Sequence, residues 1–295
     1  MQVKRISHVT FRTPDINRQI DYCVGILGMQ LAAREADRAF LATRQGLLAV
    51  VLERGNAPIC EKVAFQLSPV SDLSELRYGL TADGIAADLQ RDAAPGVRQQ
   101  LAFKDPKGTT IEVFSEIDLI DKDPGQSTIS PLKLGHLAFN VLDVKAITDF
   151  YVKHLGFRVS DWRGDVFVFL RCGPDHHTVN FALTHTNAVK MHHVAFELKD
   201  WAEIERACDF LGKNNYRLVW GPGRHLIGHN VFTYHRNPDG QLVELYTELD
   251  QIKDEDIGYF EPRAWHQDHP QRPKTWPMDT LSNYWGAGAP TGFGD

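Results

Sequence analysis

The chain contains itself twice. Ile6-Ser7-His8-Val9-Thr10-Phe11 is matched by Leu134-Gly135-His136-Leu137-Ala138-Phe139, and Leu27-Gly28-Met29 by Leu155-Gly156-Phe157. Val63-Ala64-Phe65-Gln66-Leu67 finds its counterpart in Val194-Ala195-Phe196-Glu197-Leu198. Asp105-Pro106-Lys107-Gly108 with Glu112 pairs in the same way with Asn237-Pro238-Asp239-Gly240 and Glu244. Colinear matches at a nearly constant offset, about 130 residues, mark a duplication. One supersecondary plan must therefore be built twice, and whatever is inferred for one half is tested by the other. The units run over 1–120 and 130–250, joined by the polar stretch Asp121-Lys122-Asp123-Pro124-Gly125-Gln126-Ser127. A tail of different character occupies 251–295.

Within each unit the residue pattern reads as mixed α and β. Residues 3–11 and 132–141 alternate as strands, while 15–27 and 143–155 carry apolar residues at helical spacing up to Gly28 and Gly156. Residues 191–198 read as a strand and Trp201 to Leu211 as a helix. The last stretch is a hairpin turning at Asn237-Pro238-Asp239-Gly240, where proline presets φ and glycine closes the turn.

Bulk properties narrow the partners. A formal charge of −6 without a basic run argues against a nucleic-acid backbone as ligand. No apolar stretch approaches the roughly 20 residues of a membrane helix, and MQVKRISHVTF lacks the apolar core of a signal peptide. Cys23, Cys60, Cys172 and Cys208 form no close pair, which predicts packed thiols in a reducing cytoplasm rather than disulfides or a zinc framework. The 13 histidines are distributed unevenly, since only His8 precedes residue 136. The second half needs imidazole.

His136, His193 and Glu244 fall on three strands of that half, at matched positions of the repeat. Two imidazoles and one carboxylate form a facial triad that suits Fe(II) and leaves coordination positions open. The corresponding residues of the first unit are His8, Lys62 and Glu112. A protonated lysine repels a divalent ion and cannot ligate it, so only the second unit is expected to bind metal. Taken singly, each residue has an ordinary reading as a packed or half-exposed strand residue; the joint pattern carries the inference.

Gly221-Pro222-Gly223-Arg224-His225, then Tyr234, then Asn237-Pro238-Asp239-Gly240 and Glu244 resemble the signature of the type I extradiol dioxygenases of the vicinal-oxygen-chelate superfamily. The nine residues from His225 to Tyr234 and the ten from Tyr234 to Glu244 match that signature, although Thr233 stands where an aliphatic residue is usual. Met191-His192-His193-Val194-Ala195-Phe196 and His177-Thr178-Val179-Asn180-Phe181 resemble two further segments of the family. The resemblance spans roughly residues 1–250. It implies an α+β fold of tandem βαβββ modules in two barrel-like domains. It also implies Fe(II), or Mn(II), on His136, His193 and Glu244, with His177 as the acid–base residue. His225 and Tyr234 would hydrogen-bond a bound catecholate, with O2 as co-substrate, in a homo-oligomeric protein. His176 is a second choice for the role of His177, and His229 for that of His225. His154, His185, His192 and His235 are expected at the surface, in packing or as supports behind the site residues.

Glyoxalase-like isomerases or lyases and metal-free small-molecule binders share this scaffold and stand as the alternatives. The tail, with Trp265, Trp276, Trp285, Tyr259 and Tyr284 among its prolines, is expected to be a lid over the pocket, an arm packed on its own barrel or on a neighbouring subunit, or both. Trp220 occupies the place where family members acting on aryl acetates have arginine, which favours a neutral ring substituent unless Arg263 or Arg272 restores a charge.

Overall fold

The structure is a computed structural model describing residues 2–120, 129–261 and 267–294; the linker at 121–127 and Pro262, Arg263 and Trp265 lie outside them. The duplication proves to be fourfold. The first copy is β1 (Val3–Thr13), α1 (Ile16–Gly25), β2 (Gln30–Arg34), β3 (Arg38–Ala42) and β4 (Leu48–Arg54). The second is β5 (Ile59–Leu67), α2 (Leu73–Ala82), β6 (Ala87–Ala94), β7 (Val97–Lys104) and β8 (Thr110–Phe114). The third is β9 (Lys133–Val141), α3 (Val144–Leu155), β10 (Arg158–Arg163), β11 (Phe167–Arg171) and β12 (Val179–Leu183). The fourth is β13 (Lys190–Glu197), α4 (Trp201–Lys213), β14 (Leu218–Arg224), β15 (Val231–Arg236) and β16 (Leu242–Thr247). The tail adds β17 (Lys274–Trp276).

Each copy opens its helix with the same device. Asp15, Asp72, Asp143 and Asp200 are N-caps whose carboxylates accept backbone N–H groups of the first turn. Such a cap contributes about 1 kcal/mol. Gly156 closes α3 in the left-handed region at φ 71°, as its sequence position predicts, whereas α1 stops at Gly25, short of Gly28. The helices and strands read from the sequence fall within two residues of the observed spans.

In every copy the last strand returns parallel to the first: β1 with β4, β5 with β8, β9 with β12, and β13 with β16. Two copies join antiparallel through their first strands, β1 with β5 and β9 with β13. The result is one curled mixed sheet per unit, ordered β2-β3-β4-β1-β5-β8-β7-β6 and β14-β15-β16-β13-β9-β12-β11-β10-β17. Rather than standing apart, the tail extends the second sheet, β17 running parallel to β10.

The main hydrophobic core draws on both units, from Val3 in β1 to Leu245 in β16. Phe65 of the first unit meets Phe157 of the second edge to face at 5.4 Å, and each buried ring contributes about 1.5–3 kcal/mol. Polar contacts fix the register between the units. Tyr151 donates to Asp105 at 3.0 Å, Tyr22 and His235 share a buried hydrogen bond of 2.7 Å, and Arg44 pairs with Glu203. All four cysteines are free thiols, two buried and two half-buried. No helix among the described residues is long and apolar enough to cross a membrane.

Candidate metal centre

Successive strand residues point to opposite faces, so one face carries every second side chain. On the concave face of the second sheet this places His136, Ala138 and Asn140 of β9 beside Phe167 and Phe169 of β11 and Asn180 and Ala182 of β12. They line a cavity of about 490 Å³, within the usual range for small-molecule sites.

The triad lies on three adjacent strands, β16, β13 and β9. His136 and Glu244 both stand opposite Ala195, and His193 stands opposite Ala138, so methyl groups separate the three longer side chains. Nε2 of His136 lies 3.0 Å and Nε2 of His193 3.3 Å from the same Glu244 oxygen, Oε2. All three ligand atoms fall within 4.8 Å of one another; no other such group is found among the described residues. Gly135 is required here, because a Cβ at that position would collide with the Tyr246 hydroxyl, whose ring packs 5.0 Å from His136.

Protonation is arranged to suit a cation. Burial, reinforced by His192, His136 and His225, pushes the His193 pKa well below its ordinary value and leaves the imidazole neutral. His192 donates Nε2–H to the Phe293 carbonyl at 2.7 Å, so its bare Nδ1 accepts Nδ1–H of His193 at 2.6 Å. That tautomer leaves Nε2 of His193 bare, and this buried nitrogen has no hydrogen-bond partner. Burial tends to raise the Glu244 pKa, but His136, His225 and the Tyr234 hydroxyl outweigh it and hold the carboxyl below its usual value. Asn230 donates to its other oxygen at 2.9 Å. An orphaned ring nitrogen, a second imidazole and an ionised carboxylate aimed at one point fit a divalent ion of the Fe(II) or Mn(II) type.

The remaining candidates divide cleanly. His177 lines the cavity with its ring 4.3 Å from that of His136, while His176 is wholly buried behind it. His225 and Tyr234 line the opposite wall, 3.2 Å apart from Nε2 to hydroxyl. Nδ1–H of His225 is spent on the Ser282 carbonyl at 2.7 Å, which makes its Nε2 an acceptor. His229 does not line the cavity and is engaged with Asp250. His185 lines the cavity, and His192 supports the triad residue His193 from behind through a hydrogen bond. Asn230 and Asp161 were not singled out in the sequence. Asn230 lies between His225 and Tyr234 and Asp161 far from any motif, but an ordinary polar residue gives no signal of its own.

Tail residues complete the enclosure. Met278, Leu281 and Phe293 line the cavity, Asn140 donates to the Gly294 carbonyl and the Trp220 indole to that of Ala287. Arg272 donates to the Ile257 carbonyl and is not among the cavity residues.

The first unit holds different residues at the matched positions. Glu112 stands opposite Ala64 and Lys62 opposite Thr10, in the register of Glu244 and His193, but Lys62 sits 3.7 Å from Glu112 and 3.0 Å from Glu53. Ala102 holds the place of Tyr234 beside the glutamate. Burial and then Lys62 push the His8 pKa down to about 3. A Lys62→His variant is expected to raise the bound Mn(II) from one to two ions per chain, read by metal analysis after dialysis; an unchanged ratio refutes lysine as the obstacle to metal there.

The chain belongs to the Glyoxalase/Bleomycin resistance protein/Dioxygenase superfamily, whose model matches residues 5–113 and 133–245. Within it, the chain groups with the type I extradiol ring-cleaving dioxygenases. Metapyrocatechase 2 of Cupriavidus necator is 30% identical over 61% of this chain and 62% of its own length. The 3-methylcatechol 2,3-dioxygenase of Pseudomonas putida is 25% identical over 83% and 89% respectively. Among solved structures, a Mn(II)-bound glyoxalase from Novosphingobium aromaticivorans superposes with a TM-score of 0.85 at 25% identity, covering 98% of this chain and 93% of the other.

Proposed function

We propose that the protein cleaves the ring of a catechol beside its two hydroxyls, using O2 and a divalent metal, Fe(II) first and Mn(II) second, held by His136, His193 and Glu244. The observation that carries this reading is the joint presence of His177, His225 and Tyr234 around the triad in one cavity. A bound ferrous ion would act as Lewis acid and template, holding diol and O2 side by side. The rest falls to side chains. Burial and the neighbouring Glu244 keep the Tyr234 phenol protonated, so it can donate to the ionised oxygen of a catecholate. The bare Nε2 of His225 accepts the remaining hydroxyl. His177, on the other wall, takes up the proton released on binding and returns it when the O–O bond breaks. The expected product is a muconic semialdehyde.

The cavity also speaks to the substrate. Trp220, Phe167, Leu226, Ile227, Leu281 and Phe293 give it a mainly apolar wall, which suits an alkyl- or aryl-substituted catechol. Oxygen uptake by Fe(II)-loaded protein with catechol, 3-methylcatechol and 2,3-dihydroxybiphenyl tests the reading. Uptake with a yellow product is expected, fastest with the substituted diols. Absence of uptake from every diol, with metal bound, would transfer the site to the isomerase reading, which the likeness to a Mn(II)-bound glyoxalase supports.

A further inference from the structure

We propose that Asp161 and His176 are positioning residues that fix the tautomer of His177, so that its Nε2 meets the cavity without a hydrogen. The inference rests on the reading of His177 as the group that exchanges a proton with substrate. It begins at Asp161 in β10, a carboxylate only 2% exposed. An ionised carboxylate accepts only, and this one has three N–H donors. Lys274 N reaches Oδ1 at 2.8 Å, the Trp276 indole reaches Oδ2 at 2.8 Å, and Nε2 of His176 lies 3.0 Å from the same Oδ2. The tail strand makes this possible, because β17 runs beside β10 with Lys274 opposite Asp161.

The hydrogen of a neutral His176 is therefore on Nε2, and its Nδ1 is bare. That Nδ1 lies 3.0 Å from Nδ1 of His177. Two ring nitrogens at this distance need one hydrogen between them, and here only His177 can supply it. His177 thus carries its hydrogen on Nδ1, and Nε2 is left with a free lone pair. Proton uptake occurs at Nε2, from a substrate hydroxyl, and the same proton is later given back. The Nδ1 hydrogen stays in place throughout, and the transient positive charge is faced by a chain ending in an anion. This is the logic by which a buried aspartate orients the histidine of a hydrolase triad.

Steric features hold the pair in register. Gly228, at φ +81°, approaches so closely that a Cβ there would lie 3.2 Å from His176 Nδ1 and 3.3 Å from His177 Cε1. Phe260 and Phe169 wall the His176 ring at 4.6 and 5.6 Å. An unsupported His177 has no such constraint and would divide between its two tautomers.

The test is a ring-nitrogen NMR spectrum of the full chain loaded with diamagnetic Zn(II), paired with kinetics of the Fe(II) enzyme. Wild type is expected to show His177 as a single Nδ1–H tautomer. Asp161→Asn is expected to mix the tautomers and to lower kcat roughly 10- to 100-fold, with KM and metal content unchanged. An unaltered spectrum or an unaltered kcat overturns the proposal. Should Asp161→Asn fail to fold, Trp276→Phe removes one N–H from Oδ2 alone. It is expected to shift the tautomer ratio in part and lower kcat roughly 3-fold, and no change in either overturns the proposal equally. If wild type consumes no O2 with any diol, the ring-cleavage reading falls, while the spectra still decide the tautomer.

Discussion

Glu244→Ala will purify with its fold intact, without metal, and without oxygen uptake on any diol. The carboxylate is the one anion of the triad, and both ring nitrogens converge on a single one of its oxygens. Losing an outer partner of a metal ligand costs about 10- to 100-fold in affinity, so losing the charged ligand itself should exceed the upper figure. Stability supplies a second readout. A ligand that binds only the native state at 1,000 times its Kd stabilises it by about 4 kcal/mol. Added Mn(II) should therefore raise the Tm of the wild type by several degrees and leave that of Glu244→Ala where it was. Retained metal or a preserved thermal shift would move the binding site elsewhere.

His177→Ala will behave differently: metal content unchanged, KM within a few-fold, and kcat down by about 10²- to 10⁴-fold, the range a positioned acid–base group contributes. The residue touches the ring of His136 without belonging to the triad, so its loss opens space beside the ligands and removes no ligand. The contrast between the two variants is the informative result. One abolishes binding of the metal, the other should spare binding and strike the chemical step alone. Oxygen uptake at wild-type rates in His177→Ala would remove this histidine from the reaction, and with it the purpose of the Asp161–His176 chain.

The triad was legible because each of its members has a counterpart at a matched place in the duplicated frame, where His8 and Glu112 repeat two of them and Lys62 replaces the third. The turn at Asn237–Gly240 was legible through proline, whose ring fixes φ. The fourfold repeat itself is written in Asp15, Asp72, Asp143 and Asp200, yet a capping aspartate looks like any surface aspartate until its helix is seen. The partners of Asp161 were beyond reach for a different reason. His176 lies 15 residues from it and Trp276 lies 115, and no periodicity couples such separations. Only the curl of the sheet and the return of the tail bring them to one carboxylate. Likewise, the contacts of Phe293 and Gly294 with His192 and Asn140 depend on where irregular chain comes to rest, which local patterning does not specify.

The continuous core shared by the two units gives the first unit a burden of another kind. With Phe65 wedged against Phe157, and Tyr22 joined to the neighbour of Tyr234, melting either half strips cover from the other. The molecule is thus one thermodynamic body despite its two sheets. Substitutions around Phe65 or Asp105 will betray themselves as sensitivity to heat and proteolysis, with the chemistry of surviving molecules untouched. The first unit serves as a foundation, and a chain freed of it would have its share of the common core facing water.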